Sequence, residues 1–164
     1  MRGIPLEERK ALGALLDTRS QEEVMAMIPQ FGEAETDNFV PPPETAPEVL
    51  GVLMFNMERG VHLEEIQDFL RDCPDIRPFD LILANELDDG CARSGNKNTA
   101  RELAAAFGLN YAWGLEFIEL VNDENEKGFH GNAVFSRWPI RRAGVIRLPE
   151  EYNWYFDRQR RIGG

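Results

Sequence analysis

The chain has 164 residues, of which 43% are hydrophobic and 10% aromatic, and these values exclude a disordered protein. A formal net charge of −11 disfavours a protein that holds nucleic acid mainly through its phosphates. No apolar run approaches the roughly 20 residues of a membrane helix, and the acidic N-terminal segment is unlike a secretory signal peptide. We therefore expect a cytoplasmic protein whose two cysteines, Cys73 and Cys91, are unpaired thiols.

Two short helices are predicted at the N-terminus. Residues 6–17 carry leucines at helical spacing. A second helix is expected to begin at Ser20, which has capping-box spacing with Glu23, and to end before Pro29. The sequence therefore predicts a helical hairpin over residues 1–31 that serves packing and carries no chemistry.

The remainder of the chain divides into a linker and an α/β unit. Residues 32–47 contain four prolines and are predicted to form an extended linker without regular structure. Over residues 48–164, apolar runs alternate with amphipathic stretches, which is typical of an α/β fold. The first two apolar runs suit strands that are buried on both faces. The predicted elements are strands at 49–55, 79–84, 111–120, 131–135 and 143–148, and helices at 61–70 and 99–107.

Polar residues occur where three of the predicted strands end or begin. Asn56 follows the first strand, Glu86 follows the second, and His130 and Asn132 lie at the start of another. Ligand sites of α/β sheets lie at such strand ends, and hard divalent cations prefer oxygen ligands. Each residue alone also fits a structural role: Asn56 in a turn, Glu86 as a solvated loop acid, and His130 as a loop imidazole.

These motifs, taken in order, resemble the endonuclease/exonuclease/phosphatase family over about residues 49–164. The resemblance is carried by Asn56 after a strand, then Asn-Glu-Leu-Asp at 85–88, then Gly-Asn-Ala-Val-Phe-Ser-Arg-Trp-Pro-Ile at 131–140. It implies an α/β fold that is part of a two-sheet β-sandwich flanked by helices. It also implies hydrolysis of a phosphate ester with Mg²⁺ or Mn²⁺ as cofactor.

The resemblance also implies roles for individual residues. Glu86 is expected to bind the metal, and Asn56 is expected to order the metal and the phosphate, so both are predicted catalytic residues. Arg93, His130 and Asn132 are predicted to contact the substrate, although Arg93 fits a surface arginine equally well. The net charge favours a small or lipid-like phosphate ester over long nucleic acid.

The sequence departs from the family pattern in its last part. The resemblance implies an Asp-x-Asn pair on a later strand and a terminal catalytic histidine, and neither follows Ile140. We therefore expect the chain to represent the N-terminal part of the catalytic domain, incomplete at the C-terminus and without turnover alone. The alternative is a catalytically dead interaction module on the same fold. A reading frame that continues beyond Gly164 with the two missing motifs would favour the enzyme.

Overall fold

The computed structural model describes residues 1–76, 78–148 and 160–163. It confirms the α/β class. The helices are α1 (Leu6–Leu15), α2 (Gln21–Met25), α3 (Leu63–Asp72) and α4 (Thr99–Phe107), and the strands are β1 (Ala34–Asp37), β2 (Val52–Arg59), β3 (Leu81–Asp89), β4 (Asn110–Glu119), β5 (Phe129–Ser136) and β6 (Arg161–Gly163). Among these helices, none has the length and apolar character needed to cross a membrane.

The six described strands form one mixed sheet in the order β1-β4-β5-β3-β2, and β6 pairs with β4 beyond the first residue of β1. Strands β2 and β3 are parallel, whereas every other pair in the described sheet is antiparallel. Helix α3 connects the parallel pair, as a crossover connection requires. Because β2 and β3 run in the same direction, the residues at their carboxyl ends lie at one common edge of the sheet.

The two faces of the sheet differ in burial. Trp113, Tyr111 and Phe135 are almost fully buried on one face. The opposite face, here called the open face, contains Met54 and Val134, which are 73% and 41% exposed. The prediction that the first strand is buried on both faces is therefore wrong, because β2 buries one face and leaves the other open.

A segment without regular secondary structure crosses part of the open face. Residues 143–148, predicted to be a strand, do not form one. Arg147 instead donates to the backbone carbonyls of Leu115 and Glu116 in β4. The segment thus contacts β4 through a side chain, which hydrophobic alternation does not reveal.

The N-terminal helices are confirmed, and their arrangement as a hairpin is not. Ser20 and Glu23 form the predicted capping box at the start of α2. Arg9 of α1 is 1% exposed and donates to the carbonyls of Glu119 and Asn125 at 3.0 and 2.7 Å, so α1 contacts the end of β4 and the loop that follows.

The segment predicted as a linker contributes to the sheet. Residues 34–37 pair with β4 as strand β1, which ends before the prolines that begin at Pro41. The prediction that residues 32–47 lack regular structure is therefore wrong for these four residues. Long-range pairing with β4 overrides the local preference for an extended linker.

Candidate functional site

Strand β3 carries a bulge at the position of the predicted metal ligand. Its register with β5 shifts between Ala84 and Leu87, so that Asn85 and Glu86 together face Asn132. Glu86 has a φ of 57°, a left-handed conformation that costs an L-residue about 1–2 kcal/mol. Bulges redirect a side chain relative to the regular alternation of a strand. Here the bulge brings the Glu86 carboxylate beside the Asn56 side chain of the neighbouring strand β2.

Three of the predicted site residues meet beside this bulge, on the open face of the sheet. The Asn56 side-chain amide donates to Glu86 Oε1 at 2.8 Å. The backbone N–H of Glu86 donates to Asn132 Oδ1 at 3.2 Å. Asn56 Oδ1 also accepts from the backbone N–H of Glu58 at 2.8 Å, which fixes the orientation of its carboxamide. The structure brings Asn56, Glu86 and Asn132 together, as the sequence indicated. They lie within β2, β3 and β5, which continue past them, and not at the ends of these strands.

The oxygen atoms of this group suit a hydrated hard cation. Glu86 is half-buried, whereas Asn56 and Asn132 are exposed, so the group is accessible to a ligand. In the described part of the chain, no three His, Cys, Asp or Glu side chains converge as a metal centre. Magnesium is commonly held by one or two carboxylates and otherwise keeps water and phosphate ligands. The Glu86 carboxylate fits that mode of binding, whereas Asn56 presents its nitrogen to Glu86 and its oxygen to the Glu58 backbone N–H.

His130 lies beneath the open face. Its Nδ1 is hydrogen-bonded to Asp88 Oδ1 at 2.8 Å, and its ring stacks on Phe117 with 4.3 Å between the ring centroids. Its Nε2 lies 4.0 Å from Glu116 Oε2. The His130 side chain is 3% exposed and is hydrogen-bonded to Asp88, so its predicted substrate contact stays a prediction.

Arg93 belongs to a buried ion-pair network. Its Nε and Nη2 donate to the two carboxylate oxygens of Asp88 at 2.7 and 2.8 Å, and its Nη1 donates to Glu119. Burial acts to lower the pKa of Arg93, but its hydrogen bonds to Asp88 and Glu119 outweigh burial and raise it. The structure thus places Arg93 against Asp88 and Glu119, and its predicted substrate contact stays a prediction.

Asp88 is the centre of this network and was not recognised in the sequence as a functional residue. Its side chain is fully buried and accepts from Arg93, His130 and Ser94. Burial alone would raise the pKa of Asp88, but the hydrogen bonds from His130 and Arg93 outweigh it and lower the pKa. In the sequence, Asp88 closely follows a strongly apolar run. An acid that is buried there must be paired.

Glu116 is a second residue missed in the sequence. It is half-buried, and its Oε2 accepts from the Asn132 side-chain amide at 3.2 Å. The predicted alternation of β4 assigns Trp113 and Leu115 to one face, and therefore Glu116 to the opposite face. That β5 lies next to β4, with Asn132 on the same face, depends on the sheet topology and is not visible in the local pattern.

No family model, curated protein or solved structure matches the chain. The resemblance to the endonuclease/exonuclease/phosphatase family consequently depends on the motif residues and on where the fold places them. Asn56, Glu86 and Asn132 derive from three separate motifs, and they form one hydrogen-bonded group.

Proposed function

We propose that the chain carries part of the active site of a divalent-metal-dependent phosphoester hydrolase of the endonuclease/exonuclease/phosphatase type. The observation that carries this proposal is the hydrogen-bonded group of Asn56, Glu86 and Asn132 on the open face of the sheet. A carboxylate flanked by two carboxamides supplies one charged oxygen for a hard cation and several N–H donors for phosphate oxygens.

Each residue of the group has a separate task in this proposal. Glu86 provides the carboxylate that holds Mg²⁺ or Mn²⁺, and the Asn56 amide orients that carboxylate through Oε1. Asn132 fixes the backbone of Glu86, and the second N–H of its carboxamide is a donor for a phosphate oxygen. When bound, the cation neutralises charge on the phosphate and lowers the pKa of coordinated water.

Water is activated, in this proposal, by groups other than Asn56, Glu86 and Asn132. Of the two histidines, His130 is buried against Asp88, and His62 lies at the start of α3 beside Glu65. Neither reaches the Asn56–Glu86 pair by a hydrogen bond in the described part of the chain. We therefore expect no phosphodiester turnover from the 164-residue chain alone. The net charge favours a small or lipid-like phosphate ester as the substrate.

The exposed apolar side chains of the open face support the proposal that this sheet is one half of a two-sheet sandwich. Met54 of β2 and Val134 of β5 are both substantially exposed, which is costly for a sheet face that remains in water. In a two-sheet sandwich this face packs against the second sheet.

Replacement of Glu86 by glutamine tests the proposed function. Glu86→Gln keeps the shape of the side chain and removes the charge that a hard cation requires. We expect the affinity of the chain for Mn²⁺, measured from the electron paramagnetic resonance signal of free Mn²⁺, to fall by about 100-fold. Glu64→Gln on the exposed first turn of α3 removes the same charge and should leave the affinity within about twofold. Equal Mn²⁺ affinity in the wild type and the Glu86→Gln variant would refute the assignment.

A further inference from the structure

Strand β4 carries a second bulge opposite the one that holds Glu86. The register of β4 with β5 shifts between Leu115 and Phe117, which pair with the successive residues Gly131 and His130. Glu116 is therefore an extra residue on β4. The two strands that flank β5 thus each bulge at this level, and a glutamate lies in each bulge.

A single carboxamide joins the two bulges. Asn132 of β5 accepts from the backbone N–H of Glu86 through Oδ1 and donates to Glu116 Oε2 through Nδ2, both at 3.2 Å. Because its oxygen and its nitrogen have different partners on opposite sides, the carboxamide cannot rotate without losing both bonds. The Glu86 N–H and the Glu116 carboxylate therefore both favour the same orientation of the Asn132 carboxamide.

The backbone of Glu116 is itself held in place. Arg147 donates to the carbonyl of Glu116 at 3.2 Å and also to that of Leu115, which satisfies backbone groups at the bulge. On the side-chain end, Nε2 of the buried His130 lies 4.0 Å from the Glu116 carboxylate, which is too far for a hydrogen bond, and Asp88 anchors His130 through Nδ1. The Arg147 bonds thus hold the backbone of the bulge, and the bond from Asn132 holds the Glu116 side chain.

We propose that Glu116 is a positioning residue of the cation site, acting on Glu86 through Asn132. The inference rests on the proposed function, since it concerns the same Glu86 site. Glu116 accepts the Asn132 amide, Asn132 in turn accepts the Glu86 backbone N–H, and this bond supports the left-handed conformation that brings the Glu86 carboxylate to Asn56. Bulges beside functional sites commonly serve to aim a side chain in this way.

Two substitutions at one position separate positioning from charge. Glu116→Ala removes the acceptor for Asn132, whereas Glu116→Gln keeps an acceptor oxygen and removes the charge. The readout without metal is hydrogen exchange of the Glu86 backbone amide, measured by nuclear magnetic resonance on the full chain. We expect exchange to accelerate about tenfold in Glu116→Ala and to stay within about twofold of the wild type in Glu116→Gln. The amide of Leu87, the next residue in β3, reports whether the strand as a whole has loosened.

The same variants are titrated with Mn²⁺ alone. We expect Glu116→Ala to weaken Mn²⁺ binding about tenfold and Glu116→Gln to preserve it. Unchanged Glu86 exchange in Glu116→Ala, or equal acceleration in both variants, would overturn the positioning role. If exchange at Glu86 depends on Glu116 as expected but the wild-type chain binds no Mn²⁺, the positioning role stands and the proposed cation site fails.

Discussion

Replacing Asp88 by asparagine is expected to lower the free energy of unfolding by about 3–5 kcal/mol. Asp88 is fully buried and accepts both Nε and Nη2 of Arg93 as well as Nδ1 of His130. An asparagine there presents one acceptor oxygen and one NH₂ donor to these partners. The change therefore leaves one N–H of the largely buried Arg93 guanidinium without its acceptor, and only Glu119 still compensates the Arg93 charge, which is the costly way to break a pair whose acid is buried.

The control is the same substitution in an exposed ion pair. Asp68 Oδ1 accepts from Arg71 Nη1 at 2.7 Å on the surface of α3, and the Asp68 side chain is 70% exposed. Asp68→Asn is expected to change stability by less than about 0.5 kcal/mol. Urea unfolding at neutral pH measures both variants. A loss in Asp88→Asn no larger than that in Asp68→Asn would contradict the role of Asp88 as the centre of the network.

The pH dependence of stability provides a second readout for Asp88. The pKa of Asp88 is lower in the folded chain than its ordinary value, because the bonds from His130 and Arg93 outweigh burial. The stabilisation is therefore fully present above the ordinary aspartate pKa and is lost as pH falls through the folded pKa. We expect the difference in unfolding free energy between the wild type and Asp88→Asn to be largest at neutral pH and to shrink on acidification.

Replacing Gly131 by alanine is expected to destabilise the protein by about 3 kcal/mol. A Cβ at this position would lie 2.1 Å from the carbonyl oxygen of Gly114 and 2.7 Å from the Trp113 ring. The carbonyl belongs to the neighbouring strand β4, so the clash is relieved only if β4 and β5 separate. Gly131 pairs with β3 and β4 at the level of both bulges, and the same change should disturb the Glu86 site.

Gly144→Ala is the matched control for Gly131→Ala. A Cβ at Gly144 would meet no heavy atom within 4 Å, and we expect a stability change within about 0.5 kcal/mol. Thermal unfolding compares the two variants. If Gly131→Ala unfolded at the temperature of the wild type, the close approach of β4 and β5 at this position would be incorrect.

Elements with local signals were predicted well. The capping box of Ser20 and Glu23 starts α2, and Gly108 ends α4 in a left-handed conformation, as a C-terminal glycine should. The sequence also indicated that Asn56 and Glu86 lie close together, because a short helical crossover makes β2 and β3 parallel.

Features that depend on long-range pairing were not predicted. Strand β1 lies in a segment whose prolines favour a linker, and among the described strands it pairs with β4. The bulges break the alternation on which strand patterns depend, so the opposed positions of Glu86 and Glu116 could not be read from spacing. Arg9 occupies a helix position whose burial requires acceptors about 110 residues away in the sequence.

The most direct measurement is the location of Mn²⁺ on the ¹⁵N-labelled chain, obtained from paramagnetic broadening at substoichiometric metal. We predict that the side-chain amide signals of Asn56 and Asn132 and the backbone amide of Glu86 broaden first, and that Glu86→Gln abolishes this pattern. Broadening centred on exposed acids such as Glu64 of α3, or a pattern unchanged by Glu86→Gln, would contradict a cation site at this edge of the sheet.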